Sequence, residues 1–581
     1  MASREALYSP TMKHLAWTIW AVVLFAGWGF PAVGESPVSP LQTFSWRLQD
    51  SNPFSSEDIE RGNHVTIIDN GRDALLLRVH LIRNAEYSID IQTFILENDE
   101  TGRYLSYELI EAAKRGVKVR LLADHFMSAR DPEWAAFLAT AHPNFELRYY
   151  RPPVGQINPS KAELALHGLL FFQAANQRMH NKILAVDGAI AVTGGRNIDN
   201  HYYNQSLSYN FYDLDAMVVG PVVPAMERSF EEFWNYRRSI PAQELGDVQG
   251  RIRRNEVTPR PTRADFAIED YFDDIEVQAG DMALIKKRFV DTLVPADRVQ
   301  FLADNPGKNS LIGLWGGGTA TRNLRKIIRS SKNELLLQSP YLILNRTARR
   351  HFGKMRRKNP DMDIIVSTNS LAATDNTLAY SGNYKLRTAY IEKIGMEIYE
   401  YKPHPAELLT HLPNYEILKA RAALEGLDRE PFLCIHGKAF VVDKTIAYIG
   451  SYNVDPRSEN LNTEMGLLIE DPEIVDRLRR CILGRAHPEN AWVIARREFP
   501  LSEVNFFFEG LSWWSPVDIW PIRNTTSFEL IPGKEPVPPD HPDFYQNYTD
   551  VGSFPGAATG SVKQLTTSLY KMFNTLVIPV M

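Results

Sequence analysis

The sequence predicts an α/β fold in which one unit, a mixed sheet flanked by helices, is built twice. Three observations carry this. The segment Arg178-Met-His-Asn-Lys-Ile-Leu-Ala-Val-Asp187, continuing to Asn197, returns as Cys434-Ile-His-Gly-Lys-Ala-Phe-Val-Val-Asp443, continuing to Asn453. Helix-like and strand-like patterns alternate ahead of each copy. At 581 residues the chain is too long for one ordinary core.

The first residues stand apart from this fold. Leu15 to Phe30 is an uncharged run, with Lys13 and His14 before it and small residues at Ala32 and Gly34 after it. That order describes a secretory signal peptide over residues 1–34, with an uncleaved anchor as the alternative. Either reading exports the body of the protein, to the periplasm or the outer face of the inner membrane.

The first unit is expected over 41–255. Ala74 to Ala85 is helix-like, Tyr87 to Leu96 alternates like a strand, Tyr104 to Arg115 is helix-like, and Val117 to Ala123 is an apolar run ending at Asp124. A polar stretch from Ile240 to Arg263, with Pro241, Pro259 and Pro261, reads as a linker or surface crossover. The second unit is expected over 256–500. There Ala320 to Ser330 is helix-like, Glu334 to Ser339 strand-like, Arg346 to Lys358 a basic helix, and Met362 to Thr368 another strand.

Residues 501–581 form an extension. Asn505 to Trp520 is aromatic-rich, which suits either a membrane interface or core packing. Pro532 to Gly560 reads as a loop. Leu565, Leu569, Met572, Phe573, Leu576 and Val577 recur at helical spacing, as on a helix lying on a membrane or docked on the body.

Composition narrows the function. Apolar residues make up 44% and charged residues 23%, a globular balance. The net charge of −6 lacks the basic surplus of a nucleic-acid binder, and no nucleic-acid partner is expected. Two cysteines, Cys434 and Cys481, exclude a disulfide scaffold and a cysteine-rich zinc site, and leave one optional disulfide open.

The repeat carries the chemistry. His180, Lys182, Asp187, Gly194, Asn197 and Asp199 match His436, Lys438, Asp443, Gly450, Asn453 and Asp455 at identical offsets. On a strand, residues i and i+2 share a face, so each histidine stands beside its lysine. An imidazole can attack or protonate while the ammonium neutralises an anionic oxygen. Asp187 comes about 17 Å further along a straight strand, too far to touch its own histidine. Asp187-Gly188 is a two-residue hairpin signal, so Asp187 and Asp443 read first as turn and scaffold residues. The second turn, Asp443-Lys444, lacks the glycine and its geometry is left open. Each histidine still needs an orienter for its second nitrogen. Aligning Asp213 to Pro221 with Glu464 to Pro472 offers Asp213 and Glu464, each opening an apolar strand, with Asp215 the rival to Asp213. Asn197 and Asn453 can donate amide hydrogens to a phosphate oxygen.

One His-x-Lys occurs by chance in many proteins, and a histidine on an apolar strand is more often a packed core residue. Retention of the same polar set twice argues for a shared task.

This doubled pattern resembles the phospholipase D superfamily. More narrowly, RMHNKILAVDGAIAVTGGRNID, DLDAMVVGPVV, STNSLAATD and GSYNVDPRSENLNTEMGLLIED resemble bacterial cardiolipin synthases of the C type, over Leu41 to Leu483. The resemblance implies two units packed with pseudo-two-fold symmetry around one active site. It implies that one histidine attacks phosphorus to form a phosphohistidine. The other protonates the leaving group and then activates the acceptor alcohol. It also implies that an acidic residue downstream of each motif, here Asp213 and Glu464, orients its histidine. His180 is assigned as nucleophile and His436 as acid/base, with the reverse kept open by the symmetry. No metal or cofactor is implied. The implied activity is phosphatidyl transfer to make cardiolipin from phosphatidylglycerol and a second phospholipid, at a membrane surface. Hydrolysis to phosphatidic acid is the alternative; a nuclease and an inactive membrane scaffold are weaker readings.

Overall fold

A computed structural model of the chain describes residues 38–51, 60–170, 176–257, 261–308, 317–498, 500, 502–512 and 523–557. The N-terminal apolar run and the C-terminal amphipathic stretch lie outside these residues, as does the aromatic stretch beyond Ser512. Among the described residues no helix is long and apolar enough to cross a membrane.

Two large sheets repeat one topology. From edge to edge the first runs Val294–Ala296, Asn63–Ile68, Asp215–Val219, Ile190–Gly194, Ile183–Val186, Ser88–Thr93, Lys118–Asp124, Phe145–Tyr150 and Ser239–Pro241. The second runs Arg298–Ala303, Met465–Glu470, Ile446–Gly450, Lys438–Val442, Glu334–Gln338, Asp363–Asn369, Glu397–Tyr401, Ala491–Arg496, Thr525–Leu530 and Tyr548–Gly552. In both, the strand after the His/Lys motif lies antiparallel to the next strand, which starts a parallel run of three. The expected helices are present as Gly71–Asn84, Glu100–Lys114, Thr319–Ile328 and Arg346–Lys358. The first is started by Asn70, whose side chain accepts from the N–H groups of Arg72 and Asp73.

Strand periodicity explains how the sheets meet. Ile183 and Ala185 point into a core shared with Ala439 and Val441 of the other sheet. Their neighbours Leu184 and Val186 face the helices of their own layer, as Phe440 and Val442 do in the second unit. Both sheet faces are buried, which is why these strands read as unbroken apolar runs. Small side chains on the shared side (Ala185, Ala191, Ala216, Ala439 and Ala447) leave room for close approach. The described residues from Pro40 onward form one compact unit.

Three local expectations change. The first sheet takes its edge strand from Val294–Ala296, which pairs with Asn63–Val65, so the hand-over between sheets lies at Asp297 and not near 255. The polar, proline-marked stretch misled because it folds into the short helix Gly246–Arg253 on the surface of the first unit. The hairpin loops close over three residues instead of two, because Val186 pairs with Ile190 and Val442 with Ile446. The Lys444 backbone at φ +57° nonetheless reproduces that of Gly188 at +67°. Finally, Tyr548–Gly552 is a strand paired to Thr525–Leu530, not loop, and extends the second sheet.

Candidate active site

The site lies where the motif segment of each unit meets the other unit. His180 N–H donates to the carbonyl of Thr463 at 3.1 Å, and Thr463 N–H returns a bond to Arg178 at 3.0 Å. The pseudo-symmetric contact is His436 N–H to the carbonyl of Tyr212, at 2.7 Å. It continues a parallel pair of strands, Tyr209–Tyr212 and Phe432–Ile435. Thr463 and Tyr212 each precede an acidic residue, and this decides the side-chain pairing.

The carboxylates are the expected ones, but they are exchanged between units. His180 Nδ1 lies 3.0 Å from Glu464 Oε2, and His436 Nδ1 lies 2.5 Å from Asp213 Oδ2. All four side chains are buried. Asp215, the rival, instead receives Arg78 at 2.9 Å and Arg196 at 3.2 Å and reaches neither ring. The glycine motif has a local reason: a Cβ on Gly195 would collide with the Asp213 carboxylate. The matching position in the second unit is Ser451, whose hydroxyl donates to Glu464.

Each histidine precedes its strand and does not lie within it, since the strands begin at Ile183 and Lys438. Lys182 Nζ donates to the His180 carbonyl at 2.6 Å. Lys438 Nζ donates to the His436 carbonyl and lies 2.7 Å from the ring's Nδ1.

Asp187 and Asp443 stand outside the reacting centre, at the far end of their strands. Asp187 accepts from the N–H groups of Glu86, Tyr87 and Ser88 at 2.7–2.9 Å. Asp443 does the same for Lys332, Asn333 and Glu334. Both therefore tie the hairpin to the neighbouring strand, as turn and scaffold residues. Asn197 and Asn453 do line the cavity. Asn197 donates to the Tyr202 hydroxyl at 2.6 Å, whereas Asn453 Oδ1 has no hydrogen-bond partner among the described residues.

The cavity holds about 400 Å³ and is lined by both histidines and both asparagines. Burial, with the charges of Lys182 and Lys438, holds His180 well below the ordinary imidazole range. Burial and Lys438 lower His436 to about 4. Burial also brings Lys182 down to about 7, helped by Lys438, and Lys438 to about 8. The two carboxylates differ. Burial pushes Glu464 up to about 7. At Asp213 burial acts the same way but is outweighed by His436, Lys438 and Arg196, so this carboxyl stays below its usual range. Two neutral imidazoles facing a cavity beside two lysine amines, which an anionic phosphodiester would hold in the ammonium form, suit attack on phosphorus.

Sequence reasoning missed four positioning groups. Asp124 accepts the Met179 N–H at 2.9 Å, next to His180. Asn369, at the matching strand end, brackets Ile435, donating to its carbonyl at 2.8 Å and accepting its N–H at 2.7 Å. Ser451 was visible only as the Gly/Ser difference between the repeats. Tyr202 was hidden in the extra residues of the first unit, and its hydroxyl lies 3.4 Å from His436 Nε2.

A family model described as "Cardiolipin synthase, PLD-like domain" matches residues 79–234 and 324–483, together over half the chain. The chain belongs to this family. Cardiolipin synthase C of Escherichia coli is 31% identical over 69% of this chain and 80% of its own length. An uncharacterized protein of Helicobacter pylori is 29% identical over 81% of this chain and 89% of its own. Among solved structures, a phosphatidylserine synthase of Haemophilus influenzae aligns over 76% of this chain and 91% of its own, at 15% identity and a TM-score of 0.48. The family matches skip residues 235–323, the span holding the hand-over between the sheets. Cys434 lies in the strand Phe432–Ile435 that leads to His436, and Cys481 lies on the helix Pro472–Arg485.

Proposed function

We propose that the protein is a phosphatidyltransferase that makes cardiolipin from phosphatidylglycerol and a second phospholipid. Family membership supports a phospholipase D-type phosphatidyltransferase acting on phospholipids. The observation that carries the reading is the pair of buried histidines in one cavity, each backed by a carboxylate of the other unit.

In this reading Nε2 of His180 attacks the donor phosphorus. A P–N bond forms as the P–O bond to the headgroup alcohol breaks. His436 gives a proton to the leaving oxygen. It then takes one from the acceptor hydroxyl, which attacks phosphorus and releases His180. Lys182 and Lys438 neutralise the equatorial oxygens, and the phosphate charge in turn eases protonation of His436 by offsetting theirs. Tyr202 beside His436 Nε2 suits that ring to proton transfer, which favours His180 as nucleophile. The N-terminal apolar run supports export of the protein, with its site working outside the cytoplasm.

Lipid product analysis by mass spectrometry, with mixed phospholipids, tests the reading. Cardiolipin should appear with the wild type and vanish with His180→Ala or His436→Ala. Phosphatidic acid alone would assign hydrolysis instead. Cardiolipin formation by a folded His436→Ala variant would remove the shared-site reaction.

A further inference from the structure

A second cavity, of about 600 Å³, lies away from the catalytic site, between the helix Arg346–Lys358 and the turn Tyr390–Ile394. Its lining is cationic: Arg346, Arg349, Arg350, Lys354, Arg357 and Lys393 surround Gly353, Ala389 and Ile394. All of these cations but Arg349 are exposed. Among the described residues, no carboxylate lies within ion-pair distance of Arg349, Arg350, Lys354 or Arg357. In a chain of net charge −6 this is a concentrated patch of opposite sign.

An apolar element borders it. Lys393 Nζ lies 5.9 Å from the Phe506 ring centre, on the helix Ser502–Ser512. That helix exposes Val504 at 51%, Phe507 at 63% and Phe508 at 44%. Phe507 and Phe508 pack edge to face at 5.7 Å and present one aromatic knob. Cationic side chains beside exposed aromatic rings are the composition of a surface that seats on anionic lipid headgroups and buries its rings at the acyl boundary. A groove for single-stranded nucleic acid would stack bases on rings inside the cationic lining, whereas Phe507 and Phe508 are not among the residues that line it.

We propose that the cationic groove of Arg346–Lys358 and the exposed face of Phe507 and Phe508 form a docking surface for an anionic bilayer. The fold connects this surface to the reaction. The helix Thr377–Ala389 contributes Leu378 and Ala379 to the catalytic cavity and Ala389 to the groove. Ten residues of helix separate the two, about 15 Å. Docking there holds the catalytic cavity beside the bilayer. The surface rests on its own charge and apolar content and needs no particular reaction.

Co-sedimentation of the full chain tests this, using vesicles of phosphatidylcholine alone and of phosphatidylcholine with phosphatidylglycerol. Binding should require phosphatidylglycerol and weaken as salt rises. The triple variant Arg350→Gln/Lys354→Gln/Arg357→Gln should bind about 100-fold more weakly, at about fivefold for each cation removed near a charged surface. Phe507→Ser/Phe508→Ser should weaken binding about tenfold at unchanged charge. The substituted residues are exposed, and unchanged thermal melts confirm the fold. Equal binding of wild type and triple variant would overturn the proposal. So would tight binding to duplex DNA that the charge variant loses and the phenylalanine variant keeps. Because binding needs no turnover, the same assay on His180→Ala separates failure of this surface from failure of the catalytic reading.

Discussion

Nδ1 of His180 lies 3.0 Å from Oε2 of Glu464, a residue 284 positions further along the chain. Its mirror relation, His436 with Asp213, closes the same loop in the opposite direction. Neither unit therefore holds a complete histidine–carboxylate pair alone. Each supplies one ring and borrows its orienter.

The crossed pairing can be read directly by following the ring C–H signals of the two histidines by NMR. Glu464→Gln should move the His180 signals and spare His436, and Asp213→Asn should do the reverse. Each substitution should lower turnover by about 10³- to 10⁴-fold, the scale seen when an orienting carboxylate is neutralised. A within-unit pattern of shifts would contradict the geometry.

Tyr202→Phe removes the hydroxyl near His436 Nε2 and leaves the Asn197 amide without its acceptor. A neutral hydrogen bond of about 0.5–1.5 kcal/mol corresponds to a roughly two- to twelvefold fall in kcat. A merely structural tyrosine would change the melting temperature and leave the pH profile of kcat unmoved. The expected result is a shifted pH profile of kcat, beside a lower melting temperature from the buried Asn197 amide left without its acceptor.

Asp187→Ala and Asp443→Ala should behave as scaffold lesions. Each removes the acceptor for several backbone N–H groups at the hairpin base. A loss of about 2 kcal/mol in stability is expected from such charge-assisted bonds. Urea unfolding should show it, and the fraction that remains folded should keep most of its turnover.

The free site should respond to alkaline pH. Lys182 and Lys438, brought down by burial to about 7 and about 8, lose their protons one after the other as pH rises. Their charge then no longer meets the substrate phosphate, so kcat/KM should fall across this window. A bound phosphodiester stabilises both ammonium groups and moves the fall in kcat to higher pH. Initial rates at low and saturating lipid over this range would show the displacement; coincident profiles would argue against lysines as the charge-neutralising groups.

Much of this was legible in sequence because it rests on short-range rules. The helix over Ala74 to Ala85, the strand runs Val117 to Ala123 and Met362 to Thr368, and the existence of the motif hairpins all follow from periodicity and turn chemistry. Where local rules misled, local content was the cause. The proline-marked stretch after Ile240 looked like a linker but supports a small helix, and the Pro- and Asp-rich segment after Pro532 conceals an edge strand.

The sequence by itself determined the duplication, the two histidines, their lysines and Glu464, and narrowed the other carboxylate to Asp213 or Asp215, because residue identity and offset survive in the linear chain. Which carboxylate serves which histidine was decided only by the tertiary structure. The shared core brings alternate faces of the two sheets together, and backbone bridges lock Met179 beside Thr463 and Tyr212 beside His436. Those bonds form between segments hundreds of residues apart, and no spacing within either repeat records them.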